Sequence, residues 1–189
     1  MIKRIFIIVI CLPLLVNSQS NYNLSLVGDF DWNGLSYDSE GSDIWGWKNP
    51  ATGVEYALVG LNSGFSVVDL SSPQNPTESF FISGVNSTWR DIKTFGNHAY
   101  VTTEGGGGLL IVDLTDLTGQ THTYYTGSFS SAHNIYIDEN GVAYIFGAGN
   151  GAIFLDVASN PTNPVYLGAW TDQYIHDGMV RGDTDKFLL

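Results

Sequence analysis

One phrase recurs three times along this chain: Phe65-Ser-Val-Val-Asp69-Leu70, Leu110-Ile-Val-Asp113-Leu114 and Ile153-Phe-Leu-Asp156-Val157. Its aspartates stand 44 and 43 residues apart. A repeat of that length constrains the fold more than any single motif, because it marks the blades of a propeller or a related array. The chain is then several copies of one unit. Function has to be sought where the copies differ, or where equivalent positions converge in space.

Within each unit the helical signature is missing, since no stretch carries apolar residues at helical spacing free of Gly, Pro or β-branched clusters. Short runs of Val, Ile, Tyr, Phe and Thr are instead separated by Gly-Asn, Asn-Gly and Pro-x-Asn-Pro turns. In the second unit this predicts strands over 89–95, 98–103, 109–114 and 121–126, and the third parses the same way over 132–137, 142–146, 152–157 and 165–170. The first gives 43–47, 55–60, 65–70 and 77–82, with a longer turn at 48–53. Four antiparallel strands per unit make a β-propeller blade, so the fold class is all-β. The expected organisation is a lead segment over 19–41, blades over 42–84, 85–127 and 128–170, and the start of another over 171–189. Closed propellers typically use about 4 to 8 blades. The sequence is accordingly expected to be an incomplete fragment of about three and a half blades.

The first 18 residues read as a cleaved secretory signal: Lys3 and Arg4, an apolar run from Ile5 to Val16, and small residues before Gln19. The run falls short of the roughly 20 apolar residues that span a bilayer. The single cysteine, Cys11, lies inside it, preceded by Ile10 where a lipoprotein signal wants a small residue. An exported chain without that segment carries no disulfide and depends on core packing. Without Lys3 and Arg4, five basic residues face nineteen acidic ones. Such a surface excludes nucleic acid as a partner. It suits solubility and divalent cations. No later stretch is long and apolar enough for a transmembrane helix.

The repeat also acts as a ruler for candidate site residues. Aligned on it, the first strands stack Ser42-Asp43, Arg90-Asp91, His133-Asn134 and His176-Asp177 in one column. First strands line the central channel of a propeller, so these pairs predict a ring of Asp43, Arg90, Asp91, His133, Asn134, His176 and Asp177 around the axis. Histidine and carboxylate are common transition-metal ligands, which makes the ring a candidate ligand, anion or metal site. The competing reading is structural, with the same side chains hydrogen-bonding neighbouring blades and closing the channel.

A second candidate is Asp29-Phe-Asp31-Trp-Asn33-Gly34 with Glu40, which fits a calcium-loop pattern of alternating oxygen donors, a turning glycine and a final Glu. Its flanks do not read as helices, Ser36 stands where an apolar residue is usual, and Tyr37 is a weak ligand; an acidic surface loop is the alternative. Asp69, Asp113 and Asp156 are expected to cap the turns that follow them. The glycine run 105–108 lacks the Lys-Ser/Thr and helix of a phosphate loop. Trp45, Trp47, Trp89 and Trp170 are expected between blades, with carbohydrate stacking as the alternative. There is no G-x-S-x-G elbow and no H-E-x-x-H, so no nucleophile stands out.

Phe65-Ser-Val-Val-Asp69 and Leu109-Leu-Ile-Val-Asp113 resemble the LVIVD repeat of secreted bacterial propeller proteins. Ser42-Asp-Ile-Trp-Gly-Trp47, Glu55-Tyr-Ala-Leu-Val-Gly60, Ser87-Thr-Trp-Arg-Asp-Ile-Lys93, Ser131-Ala-His-Asn134 and Tyr174-Ile-His-Asp177 are similar to segments of the choice-of-anchor B family. The resemblance implies export, a repeat-built propeller and a variable C-terminal region that governs display at the bacterial cell surface; it brings no catalytic residues.

These features predict a secreted or surface-displayed, non-enzymatic module that binds an extracellular protein or glycan through blade loops and channel mouth. The alternative is a metal-dependent extracellular hydrolase or lyase, with Asp91, His133, His176 and Asp177 around a channel-bound ion. A third reading is a purely structural array. Ca2+ at Asp29, Asp31, Asn33 and Glu40 is the one cofactor the motifs suggest.

Overall fold

The structure is a computed structural model that describes residues 24–35, 37, 39–181 and 186–188. The expected signal segment, 1–18, and the first part of the lead segment lie outside the described residues, as do positions 36 and 38 of the calcium-loop pattern.

The architecture is all-β, with no helix among the described residues. The first sheet holds β1 (Gly41–Lys48), β2 (Glu55–Leu61), β3 (Gly64–Asp69) and β4 (Thr77–Ser83) in sequential antiparallel order. The second holds β5 (Ile92–Phe95), β6 (His98–Val101), β7 (Leu109–Asp113) and β8 (His122–Tyr125). The third holds β9 (Asn134–Ile137), β10 (Val142–Ala148), β11 (Gly151–Asp156) and β12 (Val165–Trp170). A short antiparallel pair, β13 (Met179–Arg181) and β14 (Lys186–Leu188), follows. β5 packs against both β1 and β9, so the first strands of successive sheets are neighbours. This is the arrangement of consecutive propeller blades, and the sheets do not close into a ring.

Side-chain alternation explains why the recurring phrase is apolar throughout. Successive residues of a strand point to opposite faces. In β7, Leu110 and Val112 enter the core between the first and second sheets, while Leu109 and Ile111 enter the core between the second and third. β6 divides likewise, Ala99 and Val101 to one side and Tyr100 to the other. A strand sandwiched between two blades has no solvent face, so it reads as a continuous apolar run rather than an alternating one. The first sheet differs on its outer face. There Ser66 is fully buried and receives the Trp32 indole N–H at 3.2 Å, because the lead segment covers that face.

The aspartates that end the phrase cap turns, as expected. Asp69 Oδ1 accepts the Ser71 amide, Asp113 Oδ1 the Thr115 amide, and Asp156 Oδ1 the Ser159 amide. Hydrogen bonds from Ser159, the side-chain one foremost, hold the Asp156 carboxyl below its ordinary range. Trp45 and Trp47 do bridge blades, donating from their indoles to Thr94 Oγ1 at 3.1 Å and to the Gly96 carbonyl at 3.3 Å.

The strand starts are where the sequence expectation differs. β5 begins at Ile92 and β9 at Asn134, not at Trp89 and Ala132. The amides near those starts bond acceptors from the preceding blade: Arg90 N–H donates to Ser42 Oγ and Ile92 N–H to Asp43 Oδ2, each at 3.0 Å.

Candidate functional site at the first-strand ends

Because first strands are neighbours, whatever immediately precedes or opens each of them is gathered at one end of the blades. Ser42 and Asp43, Arg90 and Asp91, His133 and Asn134, and His176 and Asp177 line a single cavity of about 270 Å3, together with Trp89. All seven ring residues named from the repeat register therefore meet. Their side chains, however, are engaged in different ways.

Asp91 and Arg90 are committed to joining blades. Asp91 is buried, and its Oδ1 accepts from the Ile92 amide and from Lys93 Nζ, both at 3.0 Å, while Oδ2 accepts the Ile135 amide of the next sheet at 2.8 Å. With these three donors and the hydrogen bond from Asp43 occupying its two oxygens, Asp91 is not a ligand group of the cavity. Lys93 also lies 4.5 Å above the Trp45 ring. The Arg90 guanidinium donates from Nε to the Leu61 carbonyl at 2.9 Å and from Nη2 to the Val85 carbonyl at 2.7 Å. Burial pushes it below its ordinary value. The Asp43 carboxyl is pushed up to about 6 by burial first and then by its hydrogen bond to Asp91 and that neighbour's charge, against the pull of Lys93 and the Ile92 amide.

The histidines are arranged differently. His133 is anchored by its own N–H, which donates to the Phe146 carbonyl at 2.9 Å. Opposite it stands Gly147 at φ +66°, where a Cβ would come within 2.6 Å of the His133 Cβ. Glycine is needed there both for the left-handed backbone and for space. The His133 ring pairs through Nδ1 with Glu104 Oε1 at 2.7 Å, lies 3.8 Å from the His176 ring between centroids, and has Trp89 at 5.6 Å. His176 Nδ1 is paired with Asp177 Oδ2. Among the described residues, His133, His176 and Asp177 are the group of three whose ligand atoms converge, all within 4.8 Å of one another.

Sequence reasoning missed Glu104 in this site and expected Trp89 to pack between blades, where the structure leaves it exposed on the cavity wall. Glu104 sits at the start of the β6–β7 loop, which drew attention only for its glycines, and no spacing ties it to His133. Trp89 carried a readable signal: it shares a repeat column with Ala132 and Ile175, which are buried at 1 % and 4 %, yet it is 52 % exposed.

Asp29, Asp31 and Glu40 form no converging ligand group among the described residues. Asp31 Oδ1 accepts the Asn33 amide at 2.9 Å, an Asx turn. The segment enters β1 directly, with no flanking helix. Asn33 and Glu40 instead line a polar cavity of about 650 Å3 with Asn62, Ser63 and the Asn86–Thr88 stretch that leads into Trp89. The two cavities are thus adjacent at the same end of the blades. No helix among the described residues is long and apolar enough to cross a membrane.

Comparison with known families gives matches to the LVIVD repeat over residues 54–83, 88–121 and 131–172, together more than half of the chain. Each match holds the third strand of one sheet, the element that carries the recurring phrase. No curated protein and no solved structure matches the chain.

Proposed function

Because the chain belongs to the LVIVD repeat family and its sheets are propeller blades, we propose that it is a non-enzymatic binding module whose ligand seats at the channel mouth. The observation that carries this reading is the convergence of one polar pair from each of four successive repeats on a single cavity, with the exposed indole of Trp89 on its wall. The neighbouring polar cavity extends the same face. Hydroxyl, amide and carboxylate groups beside an exposed aromatic ring suit an extracellular glycan or a polar protein loop. Asp91 and Arg90 hold the blades in register, so the recognising groups are Trp89, Asn134, His133, His176 and Asp177.

The apolar run behind Lys3 and Arg4 supports export, and the phrases Ser42–Trp47 and Tyr174–Asp177 support a place within the choice-of-anchor B family, displayed at the cell surface. The test is a screen of the full chain against glycans and extracellular proteins, repeated with Trp89→Ala. A ligand whose affinity drops about tenfold or more in the variant is expected. Turnover of a polysaccharide or ester by the metal-loaded full chain, or binding indifferent to Trp89, would overturn the reading.

A further inference from the structure

We infer that His133, His176 and Asp177 form a binding site for a divalent first-row transition ion of the zinc type, with Glu104 as a positioning residue for His133. The donor set is two imidazoles and one carboxylate from successive repeats. Three protein ligands with a fourth position left to water or ligand is the form of an open zinc site. Two nitrogen donors favour such an ion over Ca2+, which takes oxygen.

Glu104 gives the cluster the feature that separates ligating histidines from merely adjacent ones. A carboxylate only accepts, so Nδ1 of His133 is the protonated nitrogen and Nε2 keeps its lone pair for an ion. His133 is the rigid member: its side chain is 10 % exposed, held by Glu104 and by contact with Gly147. His176 and Asp177 are about 60 % exposed and bonded to each other, Nδ1 to Oδ2, a surface pair that can open around an ion. With bonds of about 2.1 Å, tetrahedral ligand atoms stand roughly 3.4 Å apart. The present spread of up to 4.8 Å therefore closes with side-chain shifts of the order of an ångström. Asp91 takes no part, since its oxygens are spent on Ile92, Lys93, Ile135 and Asp43.

The inference rests on the same face as the binding reading but not on its ligand. Chelator-treated full chain is titrated with ZnCl2 by calorimetry and with CoCl2 by visible absorption. One equivalent should bind, and His133→Ala, His176→Ala and Asp177→Asn should each weaken binding by about 100-fold or more. Glu104→Gln should weaken it about 10-fold to 100-fold and shift the cobalt spectrum, which a purely structural role would not do. His176→Ala carries the decision if His133→Ala fails to fold, because His176 lies at the surface. Absence of binding by the parent chain, or equal stoichiometric binding by the His176→Ala variant, would overturn the site. Since the titration contains no organic ligand, that failure leaves the glycan and protein screen unaffected.

Discussion

Asp91 Oδ2 accepts the Ile135 amide hydrogen at 2.8 Å across the boundary between the second and third blades. One boundary earlier, Asp43 Oδ2 accepts from Ile92 at 3.0 Å. Each aspartate therefore clasps the residue one position after its own counterpart in the next repeat. The clasp takes the place of a backbone ladder between blades, which share no sheet. It also makes the column of polar pairs structural at two positions before any ligand is considered.

Removing the clasp is expected to be costly. Asp91→Ala strands the Ile135 amide and leaves the Lys93 ammonium with the Ile92 carbonyl but no counter-charge, in a site where Asp91 is 8 % exposed. The loss should be about 3 kcal/mol in urea unfolding. Asp91→Asn keeps an acceptor and should lose less. A stability for Asp91→Ala within about 0.5 kcal/mol of the parent would show that the blades are joined by apolar packing alone.

Asp43 predicts a pH dependence of definite sign. Its folded value, about 6, lies above the ordinary aspartate value of 3.8. The folded state therefore holds an extra proton between about pH 4 and 6, and the stability this group contributes falls as pH rises through that window. Two units correspond to about 3 kcal/mol at most; half-exposure screens this to the order of 1 kcal/mol. Asp43→Asn mimics the protonated form, since its carbonyl can still accept from Ile92 and its amide can donate to Asp91. Melting temperatures from pH 4 to 7 should lose this slope in the variant, which becomes the more stable protein at pH 7. Parallel profiles would refute the assignment.

Arg90 reaches two carbonyls in different directions, Leu61 and Val85, from one planar group. Lysine cannot reproduce that fork. Arg90→Lys should cost about 1–2 kcal/mol in thermal unfolding and Arg90→Ala about 3 kcal/mol, from the buried bond to Leu61, the bond to Val85 and the lost packing. Gly60 lies against this side chain: a Cβ there would stand 2.6 Å from the Arg90 carbonyl oxygen. Gly60→Ala should therefore destabilise the same boundary, and equal melts for it and the parent would contradict the close approach.

The blades were legible because their signal is periodic and local. Leu109 to Val112 send alternate side chains into two cores, and both must be apolar, so the phrase survives in every copy. The same period placed Asp43, Asp91, Asn134 and Asp177 in one column. What it could not say is which of these look inward and which clasp the neighbour, because Arg90 and His133 occupy equivalent positions yet one bonds backbone carbonyls and the other a carboxylate. Glu104 was invisible for a related reason: its partner lies 29 residues away in another repeat. In the lead segment the Asp-x-Asp-x-Asn-Gly spacing suggested an ion, but it carried no sign that Trp32, between two of those oxygen donors, fastens the segment to the first blade through Ser66.

That docking gives the last prediction. Tyr37, discounted as a weak ligand, stacks on Phe81 with centroids 3.8 Å apart and donates its hydroxyl to Glu78. Glu78 also accepts from Ser66 Oγ at 2.5 Å, which in turn receives the Trp32 indole. Burial, reinforced by the Glu78 carboxylate, pushes the Tyr37 phenol above its ordinary range. Tyr37→Phe keeps the stack and loses the hydrogen bond, and should cost about 1 kcal/mol. Tyr37→Ala loses both, and should cost about 2–3 kcal/mol. Because the apolar cores between blades lie elsewhere, Tyr37→Ala should also speed proteolytic cleavage within residues 24–40 while the later blades stay protected. Unchanged cleavage there would mean that Trp32, not Tyr37, holds the segment in place.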